Sequence, residues 1–279
     1  MAQESAQTNS IQETSHEVTI FAEPIFHLGN FTVTNSLLTS WITVIILVSC
    51  FILIGKKMKK IPRGLQNIFE IVLEQALNMG DSVTGSRSKT EKFLPVALTL
   101  FFFILVSNWM GLLPGFGTIG FFEKEGGHSV FVPFFRGATA DLNLTLAISL
   151  FAVVLSHILG VMTLGVWKHL NKFVNIRIIF ETVKKAKNEP ILLMINPIKI
   201  FVGLIEVIGE IAKVASLSLR LFGNIFAGEV LLASMMAIFA YVLPIPFIFM
   251  ELIVGIVQAL VFAILTMAFM SIATVAEEH

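Results

Sequence analysis

Cysteine is almost absent. Cys50 stands alone inside an apolar run, so the chain can build neither a disulfide framework nor a cysteine-based metal site. Tyrosine is as rare, one residue against 26 phenylalanines. That ratio suits surroundings without water, where a phenol needs a polar partner and a phenyl ring does not. Net charge is zero, which argues against a nucleic-acid partner. The histidines at 16, 27, 128, 157, 169 and 279 are scattered and none pairs at ligand spacing, so no metal and no cofactor are expected. No Lys or Arg occurs before Lys56, whereas Glu4, Glu13, Glu17 and Glu23 do. A secretory signal opens on basic residues ahead of a short apolar core, so no signal peptide is expected.

What is abundant is apolar surface. The apolar fraction is 56% and the mean hydropathy +0.86, above the ~45–50% apolar content of ordinary soluble domains. A single soluble core cannot hide this much, so most of it must meet membrane lipid or other helices. The first span reads as Ser36–Gly55, followed at once by Lys56, Lys57, Lys59, Lys60 and Arg63. The positive-inside rule then puts that end in the cytoplasm and the acidic N-terminus outside. Residues 65–79 carry Leu65, Ile68, Phe69, Val72, Ala76 and Met79 at helical spacing, an amphipathic helix on the cytoplasmic surface. A polar stretch, Asp81–Lys92, follows.

Phe93–Leu113 reads as the second span and Leu142–Val166 as the third, joined by an outer loop whose only basic residues are Lys124 and Arg136. The loop after the third span holds Lys168, Lys172, Arg177, Lys184, Lys185 and Lys187, so orientation is consistent at each crossing. Between Pro197 and Pro244 there is no proline, which allows a helix of about 46 residues and ~69 Å, over twice the ~30 Å of hydrocarbon. Such a helix either breaks, near Gly223 or Gly228, or lies steeply inclined. A turn at Pro244-Ile245-Pro246 then starts a second long segment, Phe247–Ala276. The expected fold is an all-α membrane protein of about five transmembrane helices, ending in a long tilted antiparallel helical hairpin with the C-terminus inside. Its divisions are 1–35 (external segment), 36–92 (first span and amphipathic helix), 93–187 (spans two and three) and 188–279 (the hairpin).

The hairpin carries charges where lipid should be. Arg220 cannot shed the cost of burial by deprotonating, so it needs a fixed anionic partner or a wet cavity. At 100° per residue Lys213, Glu206, Asn224, Glu210 and Ser216 fall with Arg220 on one polar stripe, whereas Glu229 faces the opposite side. On the next helix Glu251 and Gln258 share a face, with Gly255 between them. Blander readings stand beside these. Glu206, Glu210 and Lys213 can pair with each other at an interface, and Asn224 and Gln258 can be hydrogen-bond glue between helices. A purely structural role for both Glu229 and Glu251 would waste several kcal/mol. Asp141 reads as the N-cap of the third span and His157 as a core histidine. With equal pitch, Glu229 and Glu251 would lie offset by ~15 Å along the hairpin and would meet only through a bend, a crossing or bridging water.

Ser-Leu-Arg-Leu-Phe-Gly-Asn-Ile-Phe-Ala-Gly-Glu (218–229), followed by Glu251 and Gln258-Ala-Leu-Val-Phe262, resembles subunit a of the F-type ATP synthase. Asn108-Trp-Met-Gly-Leu-Leu-Pro114 and Thr139-Ala-Asp-Leu-Asn-Leu-Thr145 extend the resemblance toward the N-terminus. It implies a stator subunit of the membrane sector, with c-ring and peripheral-stalk b subunits as partners, in a bacterial plasma membrane. It implies that Arg220 faces the rotor carboxylate and that Glu229 and Glu251 line an aqueous half-channel for protons. In some members one of that pair is histidine; here both are glutamate. Asn224 and Gln258 match polar positions beside the arginine, and Asp141 and His157 match positions near a channel. No nucleotide loop or nucleophile–base pairing occurs, so the chain is expected to bind no nucleotide and to have no ATPase activity alone. Two other classes compete: a secondary transporter for an anionic substrate, which would carry an inverted repeat that is not found, and a non-transporting membrane assembly module.

Overall fold

The computed structural model describes residues 22–56, 64–125, 128–173, 192–239 and 242–275. Strands β1 (Pro24–Leu28) and β2 (Phe31–Thr34) form a hairpin ahead of helix α1 (Asn35–Lys56), which is followed by α2 (Leu65–Thr84) and α3 (Arg87–Gly111). A second hairpin, β3 (Gly120–Glu125) and β4 (His128–Pro133), precedes α4 (Leu142–Leu164), α5 (Val166–Phe173), α6 (Leu192–Ile238) and α7 (Pro244–Ala273). Of these, α1, α3, α4, α6 and α7 are long and apolar enough to cross a membrane. Apart from the two hairpins the architecture is all-α, that of a multi-pass membrane protein.

Polarity is inverted relative to a soluble bundle. The buried edge of α1 is Asn35, Ser36, Thr39, Ser40 and Thr43, whereas Val44, Ile45, Val48, Ile52 and Leu53 are exposed. Burial leaves these hydroxyls paired: Thr39 Oγ1 donates to Asn35 O (3.1 Å) and Thr43 Oγ1 to Thr39 O (3.0 Å). An outward face of Val, Ile and Leu is stable only against lipid or another apolar surface. The central core joins Leu100 and Ile104 of α3, Ile148, Ala152 and Val153 of α4, Leu217 and Leu221 of α6, and Ala259 and Phe262 of α7. A second cluster, Phe93, Leu94 and Ala97 with Ala263, Met267 and Met270, ties the start of α3 to the end of α7.

The structure refines three sequence readings. The polar stretch Asp81–Lys92 is helical except for a tight turn. Gly85, at φ +68°, closes α2 with its N–H on Asp81 O (2.9 Å), a left-handed position that glycine takes at no steric cost. Arg87 then opens α3 and pairs with Asp81 (2.9 Å) and Glu91 (3.4 Å), so these charges satisfy one another. The hydrogen bond from Arg87 holds the Asp81 carboxyl below the usual carboxylate range.

The long helix does not break. α6 runs through Gly223 and Gly228 for 47 residues, ~70 Å at 1.5 Å per residue. It begins at Leu192 rather than after Pro197, because a proline this near the N-terminus forfeits at most one backbone hydrogen bond. It ends at Ile238, short of the expected turn, and Pro244 takes a first-turn position of α7, where its missing N–H costs nothing. The third concerns the connection before α4, an outer loop by its sequence, which folds as the β3–β4 hairpin and a short 3-10 turn, Ala138–Ala140. The third span itself closes at Leu164, where Gly165 (φ +85°) turns the chain into α5. The basic residues 57, 59, 60, 63, 177, 184, 185 and 187 and the terminal 277–279 lie outside the described residues.

Candidate functional site

Arg220 lies on the open side of α6. Leu217, Leu221 and Ile225 point into the core at four-residue steps, and Ser216, Arg220 and Asn224 are exposed on the adjoining face. Among the described residues its one hydrogen-bond partner is Ser216 Oγ, at 3.4 Å, and none is a carboxylate. The permanent cation that the sequence required to be compensated is therefore not compensated within this part of the chain. Behind it, Ser218 is buried and shares a hydrogen bond with Thr145 of α4 (3.2 Å).

The expected polar stripe divides. Glu206, Glu210 and Lys213 turn away from the open face into a cavity of about 280 Å³ where α4, α5, α6 and α7 converge. His157 and His169 share it: His157 Nδ1 lies 3.2 Å from His169 Nε2, and His157 Nε2 lies 3.3 Å from Glu210 Oε2. Lys213 Nζ donates to Glu210 Oε1 at 2.7 Å and sits 5.1 Å from the Phe269 ring centroid. Projection at 100° per residue already displaces Glu210 furthest from Arg220, and packing against α4 and α5 completes the separation. His157 is thus part of a titratable cluster rather than an isolated core histidine.

At the other end of the bundle stand the two glutamates. Glu251 is 5% exposed, and among the described residues its carboxylate has no hydrogen-bond or ion-pair partner. It lies against the backbone of α6 at Gly228, where a Cβ would overlap the carboxylate. Residues 228 and 251 therefore meet directly, and the expected axial offset is largely absent. Gly228 is ten residues before the end of α6 and Glu251 seven past the start of α7, so the earlier stop at Ile238 brings the two to similar depth. Further along α7, Trp109 Nε1 donates to Leu252 O (3.2 Å) and, one turn past Glu251, Asn108 Nδ2 donates to Gly255 O (3.3 Å), while Thr139 Oγ1 donates to Asn108 Oδ1 (2.6 Å). Gly255 is what lets α3 come so close: a Cβ there would lie 3.3 Å from that of Asn108. Gln258 is half-buried on the same helix.

Glu229 has a cation that no local reading of the sequence finds. Arg136, from the segment between β4 and α4, places Nη2 at 3.1 Å and Nε at 3.2 Å from Glu229 Oε2. The two side chains are 9% and 25% exposed. The approach depends on a pair of glycines: a Cβ on Gly137 would come within 2.9 Å of Glu229 Oε1, and one on Gly111 within 3.0 Å of the Gly137 Cα. Asp141 caps α4 by accepting from Asn143 N (2.9 Å) and also accepts from Ser36 Oγ of α1 (2.7 Å). The geometry accounts for it as a structural residue. Arg136 was visible in the sequence only as a loop charge, and the 93 residues that separate it from Glu229 carry no periodic signal.

Known proteins bear on this arrangement. The family described as ATP synthase A chain matches residues 37–271. A protein named ATP synthase subunit a from Campylobacter jejuni is 30% identical over 273 residues, covering 97% of this chain and 96% of its own length. Proteins of the same name from Mycobacterium bovis (33% over 257 residues, 90% and 91%) and Moorella thermoacetica (29% over 247 residues, 88% and 94%) are similar over most of both chains. With the arginine block and the glutamates inside the matched region, and five membrane-length helices inside it but for two residues at either end, the chain belongs to the ATP synthase A chain family.

Proposed function

We propose that this chain is the stator subunit of the membrane sector of a rotary ATP synthase and forms two proton half-channels against a ring of c subunits. The observation that carries the reading is Arg220: a permanent cation on the open face of α6, lacking a carboxylate partner among the described residues and flanked by a polar site toward each end of the bundle. A rotor carboxylate arriving at this face must lose its proton, and a guanidinium beside it stabilises the ionised form. The same fixed charge repels a proton attempting to pass straight through. Glu229 and Glu251 line the route from the hairpin end, which faces outside, and the cavity of Glu206, Glu210, His157 and His169 lines the route to the cytoplasm. Asn224 and Ser216 flank the arginine. Peripheral-stalk b subunits hold the chain, and the complex sits in a bacterial plasma membrane with the N-terminus outside and the C-terminus inside. ATP chemistry belongs to other subunits. A secondary transporter would build its site from helices broken at mid-membrane, whereas α6 passes Gly223 and Gly228 intact.

The test is ATP-driven acidification of membrane vesicles. Arg220→Ala abolishes it at normal complex yield, and Arg220→Lys falls nearly as far, since lysine loses the planar fork and neutralises readily when buried. Normal pumping by the alanine variant overturns the assignment. Disulfide trapping from cysteines at 216, 220 and 224 to the rotor helix checks the facing surface.

A further inference from the structure

We propose that Arg136 is a positioning residue for proton transfer: it holds the Glu229 carboxylate fixed against Gly137, as the acceptor for protons arriving at the hairpin end. The inference rests on the half-channel reading above and goes beyond it, because it assigns a role to a residue outside the long helical hairpin.

Three observations on different elements converge. Two guanidinium nitrogens of Arg136 approach one carboxylate oxygen, Glu229 Oε2, at 3.1 and 3.2 Å. The other oxygen, Oε1, lies so close to Gly137 that a methyl group there would stand 2.9 Å away. Gly137 in turn is pressed onto the backbone of Gly111, at the end of α3. Each carboxylate oxygen is thus assigned its own neighbour, and the segment that supplies both is wedged between α3 and α6. Glu251 of α7, packed against Gly228 on the same stretch of α6, has no such partner among the described residues.

With Arg136 on one oxygen and Gly137 against the other, the position and orientation of the carboxylate are set before a proton arrives, and proton transfer depends on that geometry. A residue that served only to pin the loop would give a different pattern. Its loss would lower the yield of assembled complex, and the flux through each assembled complex would be unchanged.

The experiment uses the intact membrane complex, reconstituted in liposomes, with proton flux normalised to assembled complex. The middle of the coupling range for residues in direct contact corresponds to about tenfold. Arg136→Gln is expected to slow flux by about that factor, and Arg136→Lys to recover most of it by restoring the charge. In a Glu229→Gln background, Arg136→Gln should cause no further loss, since its target is gone. Gly137→Ala gives an independent arm: the added methyl displaces the carboxylate without altering any charge and is expected to slow flux severalfold. Full losses that add in the double variant, or wild-type flux in both Arg136→Gln and Gly137→Ala, overturn the proposal. Should Arg136→Gln fail to assemble, Arg136→Lys and Gly137→Ala decide: near-normal flux in the first with slowed flux in the second supports it, and no slowing in the second overturns it. Arg220→Ala is run in parallel. If that variant conducts normally, the half-channel reading fails; if it is dead while the Arg136 variants are normal, only this inference fails.

Discussion

The two ends of the bundle handle buried charge in opposite ways. At the α5 end, acid, base and imidazole crowd into one cavity and satisfy one another: Glu210 meets both Lys213 and His157, and His157 reaches His169. At the hairpin end the carboxylates are kept in unlike surroundings, Glu229 against a guanidinium and Glu251 against the bare backbone of Gly228. The first arrangement shares charge among several partners, so loss of one leaves others in place. The second depends on single contacts at single glycines. Substitutions should therefore be felt far more sharply at the hairpin end.

The strongest test of that contrast is Gly228→Val. The added side chain occupies the position of the Glu251 carboxylate, where two helices cross and neither can withdraw cheaply. Overpacking of this kind costs ~1–3 kcal/mol or more, and the yield of assembled complex in membranes should fall severalfold. A variant that assembles normally would mean the crossing is softer than its geometry implies.

A smaller effect is expected from Asn108→Leu. It strands the Thr139 hydroxyl and releases the Gly255 carbonyl, a loss of about 2 kcal/mol for a buried polar cluster. Its counterpart at the α5 end, Glu210→Gln, gives up a partly exposed ion pair with Lys213 worth about 1 kcal/mol or less. Thermal unfolding of the purified complex ranks the two. A larger drop for Glu210→Gln than for Asn108→Leu would reverse the comparison.

The smallest expected effect lies outside both sites, at the turn between α2 and α3. Because Arg87 holds the Asp81 carboxyl below its ordinary value, the pair contributes while Asp81 is ionised. That contribution is present at pH above the unfolded carboxylate's range and fades as pH falls through the lowered folded value. Asp81→Asn should therefore leave thermal stability almost unchanged at pH 7. Any small difference from the parent should close on acidification below about pH 4, near the unfolded carboxylate's pKa. A gap that widened in acid would contradict the sign.

The membrane-length helices were legible in the sequence because hydropathy and length are one-dimensional signals. So was the cap at Asp141, which is fixed by the residues immediately after it. Arg220 was legible because an arginine amid leucines is anomalous wherever the helix points. The pairing of Arg136 with Glu229 was not, since it joins a loop to a helix 93 residues away. Nor was the meeting of Gly228 with Glu251, which depends on the helix stopping at Ile238 rather than at the proline pair. The hairpin β3–β4 was not legible for a related reason: paired backbone, not side-chain periodicity, holds it.

The continuity of α6 has a mechanical meaning. A helix of 47 residues without a break is a strut, and its backbone hydrogen bonds lie in series along the axis. A sideways load applied at Arg220 is passed to the core at Leu217, Leu221 and Ile225 on the adjoining face of the same turns, and from there to α3, α4 and α7. A kink at Gly223 or Gly228 would have made a hinge beside the arginine, letting it swing with whatever pulls on it. The unbroken rod keeps the charge at one fixed azimuth, so a partner sliding past must move relative to Arg220 and cannot drag it along.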